Sequence, residues 1–224
     1  MALIDMVRVV RTSSDHLPAG EVQRQLKHLG EGVSASEVRP DLDIFCPHTR
    51  RTHDHRTAFA EASAEGASAL IVLEANCLLI ADAAERLGAI MTALSDVDWT
   101  VLHLGLMAPL STLTEDAGSS VIAPIDQGVG AFANLYSAPA IEQLLKDLPA
   151  DPARLGDHVN QLWPHDPACV SYASEDDRGP LEATIAKLDN RFVARPMIAT
   201  TPWLLPYQEP ASREQFGLLN ADTA

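Results

Sequence analysis

The stretch at residues 55–105 constrains the fold of this chain more than any other. It opens with a helical pattern, continues into an apolar run at 69–73 and then reaches a polar step at 74–76. A second amphipathic helical pattern at 81–94 and another apolar run at 99–104 follow. This alternation of helices and strands predicts an α/β fold, with a mostly parallel central sheet flanked by helices.

The polar step lies where such a fold usually places its ligand. The run at 69–73 is apolar at every position, which is typical of a strand covered on both faces. In open α/β sheets, ligands bind beyond the carboxyl ends of the strands. Glu74 and Asn76 directly follow this strand, so we expect a functional site around them.

The other elements are predicted from periodicity and from glycine and proline positions. We expect strands at 6–10 and 33–38, and a pair of strands at 120–124 and 131–136 that meet around a turn at 126–128. We expect helices at 19–29, 55–65, 138–148 and 180–188. Ser137 precedes the third of these helices and Pro139 lies in its first turn.

The order of these motifs resembles the core of glycosyltransferase family 25, the lipopolysaccharide and collagen glycosyltransferases. Members of that family show a Ser-His helix start, a strand ending in Leu-Glu-Asp-Asp, a helix, and Asp-Trp-Asp before a strand that ends in Leu-Gly. The corresponding segments here are Asp54-His55, Leu73-Glu74-Ala75-Asn76, Asp98-Trp99-Thr100 and Leu104-Gly105. The spacing is similar, but two of the three clustered carboxylates are missing.

The resemblance extends over most of the chain. Its later segments are His158-Val159-Asn160-Gln161, Tyr207-Gln208 and Ser212-Arg213. It implies one glycosyltransferase-like domain of the A type at 1–224. In that domain, 1–105 is the half that binds a nucleotide sugar, and 106–224 is the acceptor-side half with the C-terminal tail.

The function that the resemblance implies is transfer of a hexose from a nucleotide sugar to a glycan or a lipid-linked acceptor. Enzymes of this type usually neutralise the departing diphosphate with a divalent metal held by carboxylates. The alternative is a degenerate, non-catalytic family member that binds a nucleotide, a sugar or a protein partner. The altered segment at 74–76 is the feature that separates these two interpretations.

The metal ligands implied by the resemblance are Glu74 and Asn76. A carboxylate and an amide oxygen are ligands that Mn²⁺ or Mg²⁺ accepts. With the other carboxylates gone, weak binding of the metal, or none, is expected. The structural alternative is that both residues only end a strand and cap the next turn.

The remaining candidate site residues come from the acceptor side and from the cations. Asp157 is the candidate base for an acceptor hydroxyl, or else a carboxylate near a helix start. His55 is a candidate donor-binding residue, or it only begins a helix. Arg11, Arg195 and Arg213 are candidate diphosphate contacts, where a fixed cation would replace the metal, although surface arginines are the ordinary alternative.

A Cys and three His within ten residues are also candidate ligands for a zinc ion. The spacing of Cys46, His48, His53 and His55 matches no structural zinc pattern. The alternative is a polar loop that leads into a helix, with Asp54 as its cap or in its first turn.

Charge and composition restrict the partners. The formal net charge of −15 argues against nucleic acid and anionic membrane surfaces. No signal peptide is expected, because residues 1–10 lack a basic segment followed by a long apolar run. No transmembrane segment is expected, because acidic and amide residues interrupt the most apolar window, 67–84. The 3 cysteines are widely spaced, which favours a reducing, cytoplasmic setting.

Overall fold

The computed structural model describes residues 6–10, 19–30, 33, 35–38, 47–106, 120–125, 130–162 and 180–202. Its strands, in chain order, are β1 (Met6–Val10), β2 (Ser36–Val38), β3 (Ala69–Glu74), β4 (Leu78–Leu79), β5 (Val101–His103), β6 (Ile122–Pro124), β7 (Ala133–Ser137), β8 (Arg191–Ala194) and β9 (Ala199–Thr200). Its helices are α1 (Ala19–Lys27), α2 (Pro47–Glu65), α3 (Ala83–Leu94), α4 (Ala138–Asp147), α5 (Pro152–Leu162) and α6 (Pro180–Ile185).

The centre of the fold is a mixed sheet of 7 strands in the order β2-β1-β3-β7-β5-β8-β6. Strand β1 pairs in parallel with β2 and β3, and β5 pairs in parallel with β8. Strand β7 is antiparallel to both β3 and β5, and β6 is antiparallel to β8. Five of the seven strands therefore run in one direction, and the predicted α/β class with a central sheet flanked by helices is confirmed.

Helices cover both faces of this sheet. Alternate residues of β3 point to opposite faces, so Leu70 and Val72 join a core with Phe59 of α2, whereas Ile71 packs in a core with Leu87 of α3. Helices α4, α5 and α6 pack on the α2 face, and α1 shares the α3 face. All of β3 is buried, as its continuous apolar sequence predicted.

Helix α2 begins at Pro47, so the predicted helix start at 55 was wrong. Proline suits the first helical position, because its fixed φ and missing N–H cost nothing there. The earlier start places Asp54 inside the helix, with its side chain fully buried, rather than at a cap. It also puts Arg51 and His55 one turn apart on the same side of α2.

The predicted pairing of the strands at 120–124 and 131–136 was also wrong. Strand β6 lies at an edge of the sheet beside β8, whereas β7 lies in the middle between β3 and β5. Strand β8 was not predicted. Because β7 is apolar on its α3 face and fully buried, the sheet interior accommodates it better than an exposed hairpin would.

A small second sheet closes over the end of β5. Strands β4 and β9 pair antiparallel, and the backbone N–H groups of Ile198 and Ala199 both donate to the carbonyl of Leu104. At Gly105 an added Cβ would lie 2.2 Å from the carbonyl oxygen of Ala199. The Leu104-Gly105 segment therefore needs glycine because two backbone segments touch there.

None of the helices in the described part of the chain combines the length and the apolar composition needed to cross a bilayer.

In α4, the Ser137 hydroxyl accepts a hydrogen bond from the Ala140 N–H at 3.4 Å, and proline occupies the first turn. The start of this helix is therefore the one predicted from the sequence.

Candidate functional site

The candidate site lies at the carboxyl edge of the parallel strands. Val10, the last residue of β1, is in register with Glu74, the last residue of β3. The pairing continues one step further, since the Ala75 N–H donates to the Val10 carbonyl at 2.9 Å. Strands β5 and β8 run in the same direction, so their carboxyl ends reach the same edge. The sheet thus gathers the polar segments that follow these strands.

Two side chains of α2 hold the carboxylate of Glu74. The Nε of Arg51 donates to Oε1 of Glu74 at 2.6 Å, and Nε2 of His55 lies 3.3 Å from the same oxygen. Residues four apart on a helix face the same way, which is why both reach one strand end. A carboxylate can only accept, so the His55 contact requires the proton on Nε2.

The same arginine binds a second carboxylate. Nη1 of Arg51 lies 2.6 Å from Oε1 of Glu182, which α6 supplies. The side chains of Arg51, Glu74 and Glu182 are 14%, 6% and 5% exposed. A planar guanidinium with several N–H donors suits this bridging position better than an ammonium group would. We call these three residues the Arg51 bridge.

The Arg51 bridge controls the ionisation of Glu74. Burial alone would raise the pKa of this carboxyl group, but the charge of Arg51 and the hydrogen bond from His55 outweigh it. The net effect lowers the pKa of Glu74 from 4.5 to about 2. Glu74 is therefore a carboxylate at neutral pH, with its charge already compensated inside the protein.

A second buried polar group lies next to it on the same face of the sheet. Asn134 of β7 donates through Nδ2 to the carbonyl of Gly130 and to the hydroxyl of Tyr136, at 3.0 Å in each case. His103 of β5 is in register with Asn134. Its Nδ1 lies 3.2 Å from the same Gly130 carbonyl, so Nδ1 carries the proton and donates.

His103 is held in its neutral form. Burial lowers its pKa, and the charge of Arg191 lowers it further, against the opposing hydrogen bonds to Gly130 and Asn134. The resulting pKa is about 4. Within the described residues, Nε2 of His103 has no hydrogen-bond partner. It is a buried acceptor on β5, one strand away from β3 across β7.

The segment at 74–76 is poorly arranged for a divalent cation. Oε1 of Glu74 already accepts from Arg51 and His55. Ala75 packs into the apolar core on the opposite, α3 face. The amide oxygen of Asn76 is buried and has no partner among the described residues, which leaves one open neutral ligand. The described chain has no group of three or more His, Cys, Asp or Glu side chains placed to hold a metal ion.

The other predicted site residues lie in three different settings. Arg195 directly follows β8 and is half-buried at the same edge as Glu74. Two strands separate β8 from β3, so the two positions are on the order of 14 Å apart across the sheet. Asp157 is exposed on α5. Arg11 and Arg213 lie outside the described residues.

Several residues of this site were not predicted from the sequence. They are Arg51 and Glu182 of the bridge, together with His103 and Asn134. The spacing of Arg51 and His55 was a usable signal, since four residues of separation puts both on one side of a helix. Glu182 gave no such signal, because its contact with Arg51 joins distant parts of the chain.

Asp54 is a further buried acidic residue on α2. Its side chain is fully buried, and neither of its oxygens has a hydrogen-bond partner among the described residues. The Nδ1 of His53 lies 3.6 Å from Oδ1 of Asp54. The α2 segment around Arg51 is therefore unusually rich in buried polar atoms.

Comparison with known proteins gives a distant likeness to solved structures. No protein-family model matches the chain, and no curated protein matches it. Among solved structures, the chain is similar to a glycosyltransferase involved in the glycosylation of the major capsid of PBCV-1, with 12% identity and a TM-score of 0.42. The alignment covers 95% of this chain and 100% of that one. So remote a likeness does not fix an activity.

Proposed function

We propose that this protein binds a nucleotide sugar at the carboxyl edge of its sheet and acts as a glycosyltransferase, moving a hexose to a glycan or lipid-linked acceptor. The observation that carries the proposal is the meeting of the β1 and β3 ends in register at Val10 and Glu74. The segment that resembles the donor site of glycosyltransferase family 25 thus lies where α/β sheets bind ligands.

Arg195 is the proposed diphosphate contact in the described part of this edge. It is half-buried directly after β8, and a guanidinium can bind phosphate oxygens in a bidentate manner. Its distance from Glu74 means that it meets a different part of an extended ligand. Arg11 and Arg213 remain proposed contacts from the sequence.

Asp157 is the proposed base on the acceptor side. A base must come within hydrogen-bond reach of the acceptor hydroxyl. Asp157 is exposed on α5, which leaves it accessible to a large glycan or lipid-linked acceptor. Its neighbour Asn160 is an amide and cannot take that role.

The second candidate function is binding without turnover. The observation in its favour is the Arg51 bridge, which compensates the one carboxylate left in the segment at 74–76. A transferase of this type stabilises the leaving diphosphate with a divalent metal held by carboxylates. Glu74 does not offer a free carboxylate to hold such a metal, because it is paired with Arg51. A degenerate relative that binds a nucleotide, a sugar or a protein partner would need no such group.

A thermal-shift screen of nucleoside diphosphates, run with Mn²⁺ and with chelator, tests nucleotide binding. A ligand at a hundredfold over its Kd stabilises the fold by about 2.7 kcal/mol, which raises the Tm of a chain of this size by roughly 5–10 °C. Arg195→Gln should reduce this shift. Arg24→Gln is the charge-matched control, since it removes an exposed arginine that pairs within its own helix.

Turnover is then measured as release of nucleoside diphosphate from the nucleotide sugar that binds. Release that depends on Asp157, tested with Asp157→Asn, supports the transferase. Binding without release from any donor tested, in the presence of candidate acceptors, supports the non-catalytic candidate. A protein whose Tm responds to no nucleotide would contradict the proposal as a whole.

A further inference from the structure

The Arg51 bridge places a permanent cation at the strand end where the metal of a donor site would be expected. The guanidinium lies 2.6 Å from an oxygen of Glu74 and 2.6 Å from an oxygen of Glu182. All three side chains are almost completely removed from solvent. An arginine does not lose its proton in proteins, so this positive charge is present at every working pH.

A divalent ion at Glu74 would have to compete with that guanidinium. It would meet a carboxylate whose Oε1 already accepts from Arg51 and His55, so it would either bind beside a fixed positive charge or push Arg51 aside. Breaking a buried ion pair leaves an uncompensated charge in a poorly solvated place, which is strongly unfavourable. The bridge to Glu182 makes displacement harder still, since a second contact must break.

We propose that Arg51 is the resident cation of this strand end, so that ligand binding at the site proceeds without a divalent metal at Glu74. The part of this inference that concerns nucleotides rests on the proposed function. The part that concerns metal does not, because it follows from the Arg51 bridge alone. Arg51 is thus a positioning residue that determines which cofactor chemistry the site can use.

The bridge also predicts what happens when the cation is removed. Glu74 and Glu182 would then face one vacated space, with His55 beside Glu74. Carboxylate oxygens are ligands that Mn²⁺ accepts. Uncompensated carboxylates at short range favour a cation between them. Arg51→Met keeps the length and apolar volume of the side chain, and it should create metal affinity that the parent lacks.

The decisive measurement is Mn²⁺ binding to the full chain, followed by the loss of the free-ion electron paramagnetic resonance signal at neutral pH. We expect the parent and Glu74→Gln to give the same titration. We expect Arg51→Met to bind Mn²⁺ at least about tenfold more tightly. Arg24→Met is the control, because it removes the same charge from an exposed helix surface.

A saturable Mn²⁺ site in the parent that disappears in Glu74→Gln would overturn the proposal. That comparison uses only the parent and a variant in which Arg51 keeps Glu182 as its partner, so it holds even if Arg51→Met fails to fold. An Arg51→Met protein that folds and gains no affinity over Arg24→Met would also contradict it.

Nucleotide titrations separate this inference from the proposed function. If a nucleoside diphosphate binds with equal affinity in Mn²⁺ and in chelator, the result supports both the proposed function and the role of Arg51. Affinity that falls at least about tenfold in chelator, and that is equally lost in Glu74→Gln, overturns the role of Arg51. If no nucleotide binds and the parent shows no Mn²⁺ site at Glu74, the proposed function fails while the assignment of Arg51 stands.

Discussion

Glu74 and Ala75 are neighbours in the chain, but their side chains pack on opposite faces of the sheet. Glu74 points to α2, where it meets Arg51 and His55. Ala75 belongs to the apolar core on the α3 face, together with Leu73. The alternation of a β-strand continues to this position. The alanine is therefore a core residue, and a carboxylate in its place would not lie beside Glu74.

Ala75→Asp should consequently destabilise the protein and should not be rescued by metal. Burying an unpaired charge in an apolar core costs at least about 3 kcal/mol. Urea unfolding at neutral pH, in chelator and with Mn²⁺, measures this. Ala75→Val is a control that changes volume without adding charge. Recovery of the lost stability on adding Mn²⁺ would show that position 75 faces the same site as Glu74.

Glu74→Gln should make part of the acid sensitivity of the protein disappear. The folded-state pKa of Glu74 is depressed from 4.5 to about 2. The unfolded state therefore takes up its proton first, and the stabilisation present above pH 4.5 is lost as the pH falls towards 2. The free energy of unfolding of the parent should exceed that of the variant by about 3 kcal/mol at neutral pH. The difference should be smaller near pH 3.

Urea unfolding of both proteins at pH 7, 4 and 3 checks this, because carboxylates common to the two proteins cancel in the difference. Glu142→Gln, on the exposed side of α4, should change stability by less than about 0.5 kcal/mol. A difference between parent and Glu74→Gln that stays constant over the whole range would show that Glu74 is not ion-paired.

Gly105→Ala should be among the most damaging small substitutions in the sheet. The new methyl group would lie 2.2 Å from the Ala199 carbonyl oxygen and 2.7 Å from Cε2 of Phe132. Since the nearer atom belongs to the backbone, the clash can be relieved only if a strand moves. We therefore expect the free energy of unfolding to fall by about 3 kcal/mol or more. Tm and urea midpoints measure it.

The matched control is Gly88→Ala in α3, where an added Cβ meets nothing within 4 Å. Alanine is a better helix former than glycine, so the free energy of unfolding of this variant should rise by roughly 0.5–1 kcal/mol. Equal effects at Gly105 and Gly88 would mean that Gly105 and β9 do not approach each other as closely as the structure shows.

His103 should remain neutral well below the usual range for histidine. Burial and the Arg191 charge lower its pKa to about 4. The unfolded state binds the proton first, so the neutral ring contributes stability above pH 6.5 that is lost as the pH falls towards 4. Long-range nitrogen–proton NMR spectra should show the proton on Nδ1, with no titration at pH 5. His103→Gln assigns the signal among the 8 histidines. A titration of His103 with a midpoint near pH 6.5 would contradict the burial of its ring.

The local features of this chain could be predicted from its sequence because nearby residues determine them. The continuous apolar run at 69–73 predicted a buried strand, and the strand is buried throughout. Ser137 and the proline two residues later predicted the start of α4. Each signal depends on side chains within one or two turns of the backbone that they affect. The α/β class followed from the order of such signals.

Tertiary structure alone decided where β7 lies and what Glu74 contacts. Nothing local distinguishes a strand that pairs with its neighbour from one that enters the sheet between β3 and β5, since either arrangement buries its apolar residues. Similarly, the polar end of β3 indicated a site but not its chemistry. Arg51 pairs with Glu74 and with Glu182 at the same time. Those contacts exist only because the folded sheet brings α2 and α6 together over one edge.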